Sequence, residues 1–272
     1  MKYKMIFSDF DGTLLRDDLT VSEKSKEAIR DYVKHGGKFV LCTGRMPNPM
    51  VRWIKEIGLE DMAIPVVGFN GAVDMDKDGK YLHSESIDHD VALKIVKKVE
   101  TLGDVYFHFY GEDWVYIEKE HPINTQYVFF TGVKCKVGGK LSKFLEDNPS
   151  FRPIKILTVI KPGQEKMMDE IFDNMDLPGV FHIMSSHEYY EFCPVTAGKG
   201  RGMARVAKKY GIPLDEVIAI GDNQNDVAMI KSAGLGVAVA NARKETIDSA
   251  DFVTLSNNDD GVAHVIEKFC KE

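Results

Sequence analysis

Cysteine is scarce in this chain of 272 residues: Cys42, Cys135, Cys193 and Cys270 lie far apart, with no C-x-x-C pair and no Cys/His cluster. That spacing argues against a structural zinc site, and free thiols in a reducing cytoplasm are the simplest expectation. Long apolar runs are missing too. No stretch approaches the roughly 18–20 residues that a membrane span needs, and the opening MKYKMIF runs into acidic residues before a secretory h-region can form. A soluble cytoplasmic protein is expected. Positive charge is also short, with 35 Lys and Arg against 42 Asp and Glu, a formal net charge of −7 and no basic tract. That balance disfavours nucleic-acid and acidic-membrane partners.

What is present suits an ordinary globular protein, 44% hydrophobic with 15 Phe and 10 Tyr, at a length that fits one large domain or two moderate ones. Strand and helix patterns alternate through the first eighty residues. YKMIF (3–7) reads as a strand, VSEKSKEAIRDYVKHGG (21–37) as a helix capped by Ser22, and KFVLCT (38–43) as a strand; NPMVRWIKEIG (48–58) follows as a helix and IPVVGFNG (64–71) as a strand leaving through glycines. The last eighty residues resume that rhythm, with strands at VIAIG (217–221) and GVAVAN (236–241) between helical segments. The two ends, 1–82 and 193–272, are therefore expected to form one doubly wound, mostly parallel α/β domain.

The middle reads differently. VYFHFYGEDWVYIEK (105–119) alternates across a GED turn as an antiparallel hairpin does, with Tyr106, Trp114 and Tyr116 available for one face. A second hairpin is expected over 180–194, with a strand at 154–160 and helices around them. Residues 83–192 are thus expected to be an inserted α+β domain.

The strand YKMIF runs into Asp9 and Asp11, acids whose desolvation is costly unless something compensates it. Alternation along an extended chain points both to one side, toward the crevice beyond the strand ends where such sheets bind ligands. Gly12 lets backbone N–H groups approach an anion, and Thr13 adds a hydroxyl. Two acids beside amide donors suit a Mg²⁺ that bridges to a phosphate; a turn with capping aspartates is the plainer alternative. VIAIGDNQND repeats the placement, with Asp222 past Gly221 and Asn225 and Asp226 entering the next helix. LCTGR ends a third strand with Thr43 and Gly44, suited to phosphate oxygens. TAGKGRG sets Lys199 ahead of a helix, where a cation and helix N–H groups can stabilise a transferring phosphoryl. A strand exit and a flexible linker are their plainer readings.

DFDGT, TGR, the lysine of GKG and GDNQND, in that order, resemble the four motifs of the haloacid dehalogenase superfamily. FNGA (69–72), VAVANA (237–242) and NDDGVAHVIEKF (258–269) are similar to its Cof-type phosphatases in particular. The resemblance implies a Rossmann-like core with a C2B cap over 83–192 and a Mg²⁺-dependent phosphatase acting on small phosphorylated metabolites such as sugar phosphates. It implies Asp9 as the nucleophile that forms an aspartyl phosphate, and Asp11 as general acid and base. It places the metal on the Asp9 side chain, the Asp11 backbone carbonyl and Asp222, with Asn225 and Asp226 supporting, and the phosphate on Gly12, Thr43, Gly44 and Lys199. Arg45 and Asn70 are candidates for touching phosphate or substrate, or for plain salt-bridge and turn roles. In the insert, His108, Tyr110, Trp114, His187, Glu188 and Tyr189 are substrate candidates, though aromatics at alternate strand positions more often pack. A monomer or homodimer is expected. A phosphotransferase or mutase is the nearest alternative, and a receiver-like phospho-binding protein a more distant one.

Overall fold

Met5, Ile6 and Phe7 build the central strand β1 (Met5–Asp9), buried at all five positions as a strand covered on both faces must be. The computed structural model describes residues 1–60, 64–103, 105–123, 128, 132–184 and 188–270. From β1 the chain runs through α1 (Glu23–Lys34), β2 (Lys38–Cys42) and α2 (Asn48–Glu56) to β3 (Val66–Gly68), β4 (Val73–Met75) and β5 (Tyr81–Ser84). Ser22 caps α1 by accepting the Ser25 N–H at 3.0 Å, and Ala28, Ile29 and Tyr32 form its buried stripe. Next come α3 (His89–Glu100), β6 (Tyr106–Tyr110), β7 (Val115–Ile117), β8 (Cys135–Val137), α4 (Leu141–Asp147), β9 (Lys155–Val159), α5 (Glu165–Phe172), β10 (Val180–Met184) and β11 (Tyr189–Pro194). The chain closes with α6 (Lys199–Lys209), β12 (Val217–Gly221), α7 (Val227–Ser232), β13 (Leu235–Ala238), α8 (Lys244–Ile247), β14 (Phe252–Val253) and α9 (Gly261–Phe269). Among the described residues no helix is long and apolar enough to cross a membrane.

Two compact units result. The first joins Met1–His83 to Ala197–Glu272 and holds an eight-stranded sheet in the order β14-β13-β12-β1-β2-β3-β4-β5. It is a doubly wound α/β fold, parallel from β14 to β3, with β4 antiparallel to β3. The chain steps from β1 to β2 and β3 on one side, and from β12 to β13 and β14 on the other. The order therefore reverses between β1 and β12, the place where open sheets of this kind leave a crevice beyond their carboxyl ends.

Glycines in TAGKGRG serve packing as much as chemistry. A Cβ on Gly202, in α6, would stand 2.6 Å from Val67 Cγ1 of β3. Only a residue without a side chain lets α6 lie that close to the sheet. Alanine improves helix propensity by about 1 kcal/mol, but forcing a methyl into a filled core costs about 1–3 kcal/mol. Gly202→Ala is therefore expected to be net destabilising, by up to about 2 kcal/mol in denaturant unfolding, and a stabilised variant would contradict this packing account.

The second unit, Ser84–Thr196, carries a six-stranded sheet in the order β10-β11-β9-β6-β7-β8. β6 pairs with β7, and β10 with β11, as antiparallel hairpins, whereas β7 and β8 run parallel. One face buries Phe107, Phe109, Ile156 and Phe192 against Ile95, Leu141, Met168 and Phe172 of the helices. Tyr106 and Tyr116 do not share a face as the alternation suggested. Tyr116 lies opposite Phe109 and stacks on it, at 5.4 Å between ring centroids, while Tyr106 stacks on His121 at 5.2 Å. Trp114 sits in the turn with Lys134 and Lys136 over its ring.

The other sheet face buries charge. Lys155 Nζ lies 2.9 Å from Glu191 Oε1 and 4.8 Å from the centre of the Tyr110 ring, and both members of the ion pair are buried. His108 Nε2 and the Tyr110 hydroxyl are 3.0 Å apart. Burial, helped by Lys155, pushes the His108 imidazole down to about 3, so it is neutral at ordinary pH. Removing one partner of such a pair strands a buried charge, at about 3–5 kcal/mol, while replacing both with apolar groups is often neutral. Lys155→Met is expected to destabilise by that amount, and Lys155→Met with Glu191→Leu to recover most of it. Additive losses in urea melts would show that the two side chains act independently and would overturn this account. His187 lies outside the described residues.

Candidate active site

Three parallel strands end side by side, and each releases its polar residues there. Asp9 closes β1 in register with Cys42 of β2, Thr43 follows β2, and Asp222 follows Gly221 at the end of β12. Lys199, the first residue of α6, reaches into this corner. Its Nζ lies 2.6 Å from Asp9 Oδ1 and 2.6 Å from Asp226 Oδ1, with only 1% of the side chain exposed. Asp226 spends its other oxygen on the backbone, where Oδ2 accepts the N–H groups of Asp222 and Asn223 at 3.0 Å each. That closes a capping box with Asn223 and sets the loop that carries Asp222.

The turn after Asp9 is laid against Asp222. The Thr13 hydroxyl donates to Asp222 Oδ1 at 3.3 Å. Gly12 has φ of +76°, and a Cβ there would stand 2.9 Å from Asp222 Oδ2, so glycine is required on both counts. The Asn241 side chain donates to the Gly12 carbonyl at 2.8 Å and accepts the Asn257 N–H at 2.9 Å, tying this turn to the C-terminal segment.

Carboxylate oxygens of Asp9, Asp222 and Asp226 all lie within 4.8 Å of one another. Against these three acids stands the Lys199 ammonium. Burial holds the Asp9 carboxyl well above its usual range; Lys199 opposes this, and Asp226, Asp222 and Asp11 add to it. Burial, then Asp226, pushes Asp222 up to about 6. Burial works against the Lys199 charge, but Asp226 and Asp9 outweigh it and hold its pKa above the ordinary value. Excess negative charge on converging hard oxygen donors, out of water, fits a divalent oxygen-seeking cation such as Mg²⁺.

Asp9, Asp222, Asp226 and Lys199 thus meet, although Asp9 and Lys199 are 190 positions apart. Asp11 departs from the expectation of a shared face. β1 stops at Asp9, so alternation does not carry on, and the Asp11 side chain, 47% exposed, is gripped by Arg45. Arg45 Nε donates to Asp11 Oδ2 at 2.9 Å and Nη2 to Oδ1 at 2.5 Å. Thr43 is fully buried, and its hydroxyl accepts the Arg45 N–H at 3.1 Å. Asn70 sits in a left-handed turn and accepts a hydrogen bond from the Asn225 amide at 2.9 Å; a Cβ on Gly44 would come within 3.0 Å of that Asn70 oxygen. Asn70, Gly44 and Asn225 therefore brace one another. Asn241 is the residue that motif reading overlooked. Its signal is positional: it lies just beyond the end of β13, as Asp222 lies beyond β12.

The sequence profile of the haloacid dehalogenase-like hydrolases matches residues 6–266. The chain is 30% identical over 267 residues to the putative phosphatase YxeH of Bacillus subtilis, covering 98% of each. It is 28% identical to the 5-amino-6-(5-phospho-D-ribitylamino)uracil phosphatase YwtE of the same organism, covering 97% of each. Among solved structures, a haloacid dehalogenase-like hydrolase from B. subtilis superposes with a TM-score of 0.86 at 26% identity, covering 98% of this chain and 99% of the other.

Proposed function

This chain belongs to the haloacid dehalogenase-like hydrolases, in their Cof-type group, and is a phosphatase; from that premise we propose that it hydrolyses small sugar or polyol phosphates through an aspartyl phosphate on Asp9. The observation that carries the reading is Asp9 itself, a buried carboxylate at the switch point of the sheet, held by a lysine that is itself buried.

Asp9 attacks phosphorus through a carboxylate oxygen, and the bond from phosphorus to the ester oxygen breaks. Asp11, protonated, gives its proton to the departing alkoxide. In the second half Asp11, now a carboxylate, takes a proton from water. The resulting hydroxide attacks phosphorus, the bond to Asp9 breaks, and inorganic phosphate leaves with Asp9 restored. Lys199 fixes the Asp9 carboxylate for attack. Thr43, Gly44 and the amides near Gly12 orient the phosphoryl oxygens, with Arg45 and Asn70 at the rim of the same site. Asp9, the Asp11 carbonyl and Asp222, with Asn225 and Asp226 behind them, would hold a Mg²⁺, which would supply positive charge to offset the phosphoryl oxygens.

The inserted unit is proposed to act as the C2B cap and to set substrate choice. The substrates proposed for it are hydroxyl-rich phosphates, as membership of the family implies; Lys155, Glu191, His108 and Tyr110 are buried against one another and belong to the packing of that unit. The phosphorylated ribityl chain named for the relative YwtE is a substrate of that kind. Phosphate release should be measured over sugar, polyol and nucleotide phosphates, with Mg²⁺ and with EDTA. Metal-dependent turnover ranked highest for sugar or polyol phosphates is expected; a protein equally active in EDTA, or selective for nucleotides, overturns the reading.

A further inference from the structure

Arg45 does more than face solvent. Its N–H is held by the Thr43 hydroxyl, and its carbonyl accepts the Phe69 N–H at 2.9 Å. Phe69 and Asn70 both have positive φ, 49° and 55°, a conformation that a bulky residue such as Phe adopts only when its surroundings enforce it. The Asn70 N–H in turn donates to the Thr43 carbonyl at 3.0 Å. This strained turn therefore clamps the backbone of Arg45 from two sides.

The side chain is clamped as well. The guanidinium lies 5.5 Å from the Phe10 ring centre and 5.6 Å from that of Trp53, and the two rings meet edge to face. Nη1 is buried and, among the described residues, has no hydrogen-bond partner, so the group is not placed there to maximise its own bonding. What the arrangement delivers is a rigid fork that takes both carboxylate oxygens of Asp11. An ordinary exposed ion pair has neither the aromatic walls nor the pinned backbone.

We propose that Arg45 is the positioning residue for Asp11, holding its carboxyl where a departing ester oxygen arrives and yielding one of the two oxygens for proton transfer. This rests on the phosphatase reading above. Arg45 itself takes no part in the proton transfer. The proton passes from Asp11 to the ester oxygen as the bond to phosphorus breaks, and later from water to Asp11.

A residue that acts through proton donation matters in proportion to how badly the leaving group needs a proton. The test compares leaving-group release in the first turnover for 4-nitrophenyl phosphate, whose phenolate departs unprotonated, and for the primary alkyl phosphate that the panel above finds fastest. General-acid assistance is worth about 10²–10⁴-fold, so Arg45→Gln is expected to slow alkyl release about 100-fold and aryl release less than about fivefold. Arg45→Lys keeps the charge without the fork and should fall between. Adding Asp11→Asn to Arg45→Gln should cost little more, because both act at one step. Equal slowing of both substrates, with weaker inhibition by inorganic phosphate, makes Arg45 a phosphate ligand and overturns the proposal; so does unchanged release of both. Loss of the phosphatase reading appears separately, as natural protein that turns over neither substrate or as an Asp9→Asn variant that still turns them over.

Discussion

Asp9→Asn is expected to lower phosphate release by about 10⁴-fold or more, since removing a nucleophile that acts as part of a unit costs nearly the whole of its catalysis. The amide is isosteric and neutral, so it cannot open an attack on phosphorus, yet its oxygen still accepts the Lys199 ammonium that now sits 2.6 Å from Asp9 Oδ1. The fold should not suffer. Asp9 is buried among Asp222 and Asp226, and its ionised form is disfavoured there by burial. In metal-free buffer the variant should melt no lower than the natural protein. Added Mg²⁺ should raise the melting temperature of the natural protein and do so much less for the variant, because a carboxylate donor is gone. A variant that retains turnover would remove Asp9 from the mechanism. One that loses both turnover and fold would make it a structural residue.

Lys199→Met should do the reverse, losing activity and stability together. The lysine is the cation between two buried carboxylates, and both are left facing each other when it goes. Breaking a buried ion pair by deleting one partner costs about 3–5 kcal/mol. At about 2–4 °C per kcal/mol for a chain of this size, the melting temperature should fall by about 6–20 °C. Asp226 cannot swing out to water to relieve the repulsion, since its second oxygen holds the Asp222 and Asn223 amides. Mg²⁺ should restore part of the lost stability by taking over the compensation of charge, without restoring turnover, because nothing then aims Asp9. Thermal melts with and without the metal, read beside phosphate release, check both halves. A variant as stable as the natural protein would mean that the corner tolerates bare carboxylates, and the electrostatic account of the site would fail.

These two residues also mark how far local sequence reaches. Asp9 is visible because an apolar strand that ends in acids has no packing reason to do so. Lys199 is visible only as a cation among glycines, and the expectation that it faces a phosphoryl missed its first task, the salt bridges to Asp9 and Asp226. Part of the glycine pattern around it belongs to α6 lying against Val67. Local sequence cannot separate a glycine kept for a ligand from one kept for a neighbouring strand. The short strands β4, β5 and β8 escaped for a different reason: three or four residues carry too little alternation to register a period of two.

The sequence by itself determined the alternation of strands and helices at both ends, the α+β character of the middle, and the placement of acids at the exits of β1 and β12. Those features are written in local periodicity and in residues whose burial would otherwise be costly. Tertiary structure alone decided that β12 lies beside β1, that Lys199 crosses to Asp9, and that Asp11 turns outward to Arg45. Pairing between strands far apart in the chain depends on how the whole sheet closes, and a side chain beyond a strand end follows the nearest charge instead of the strand's alternation.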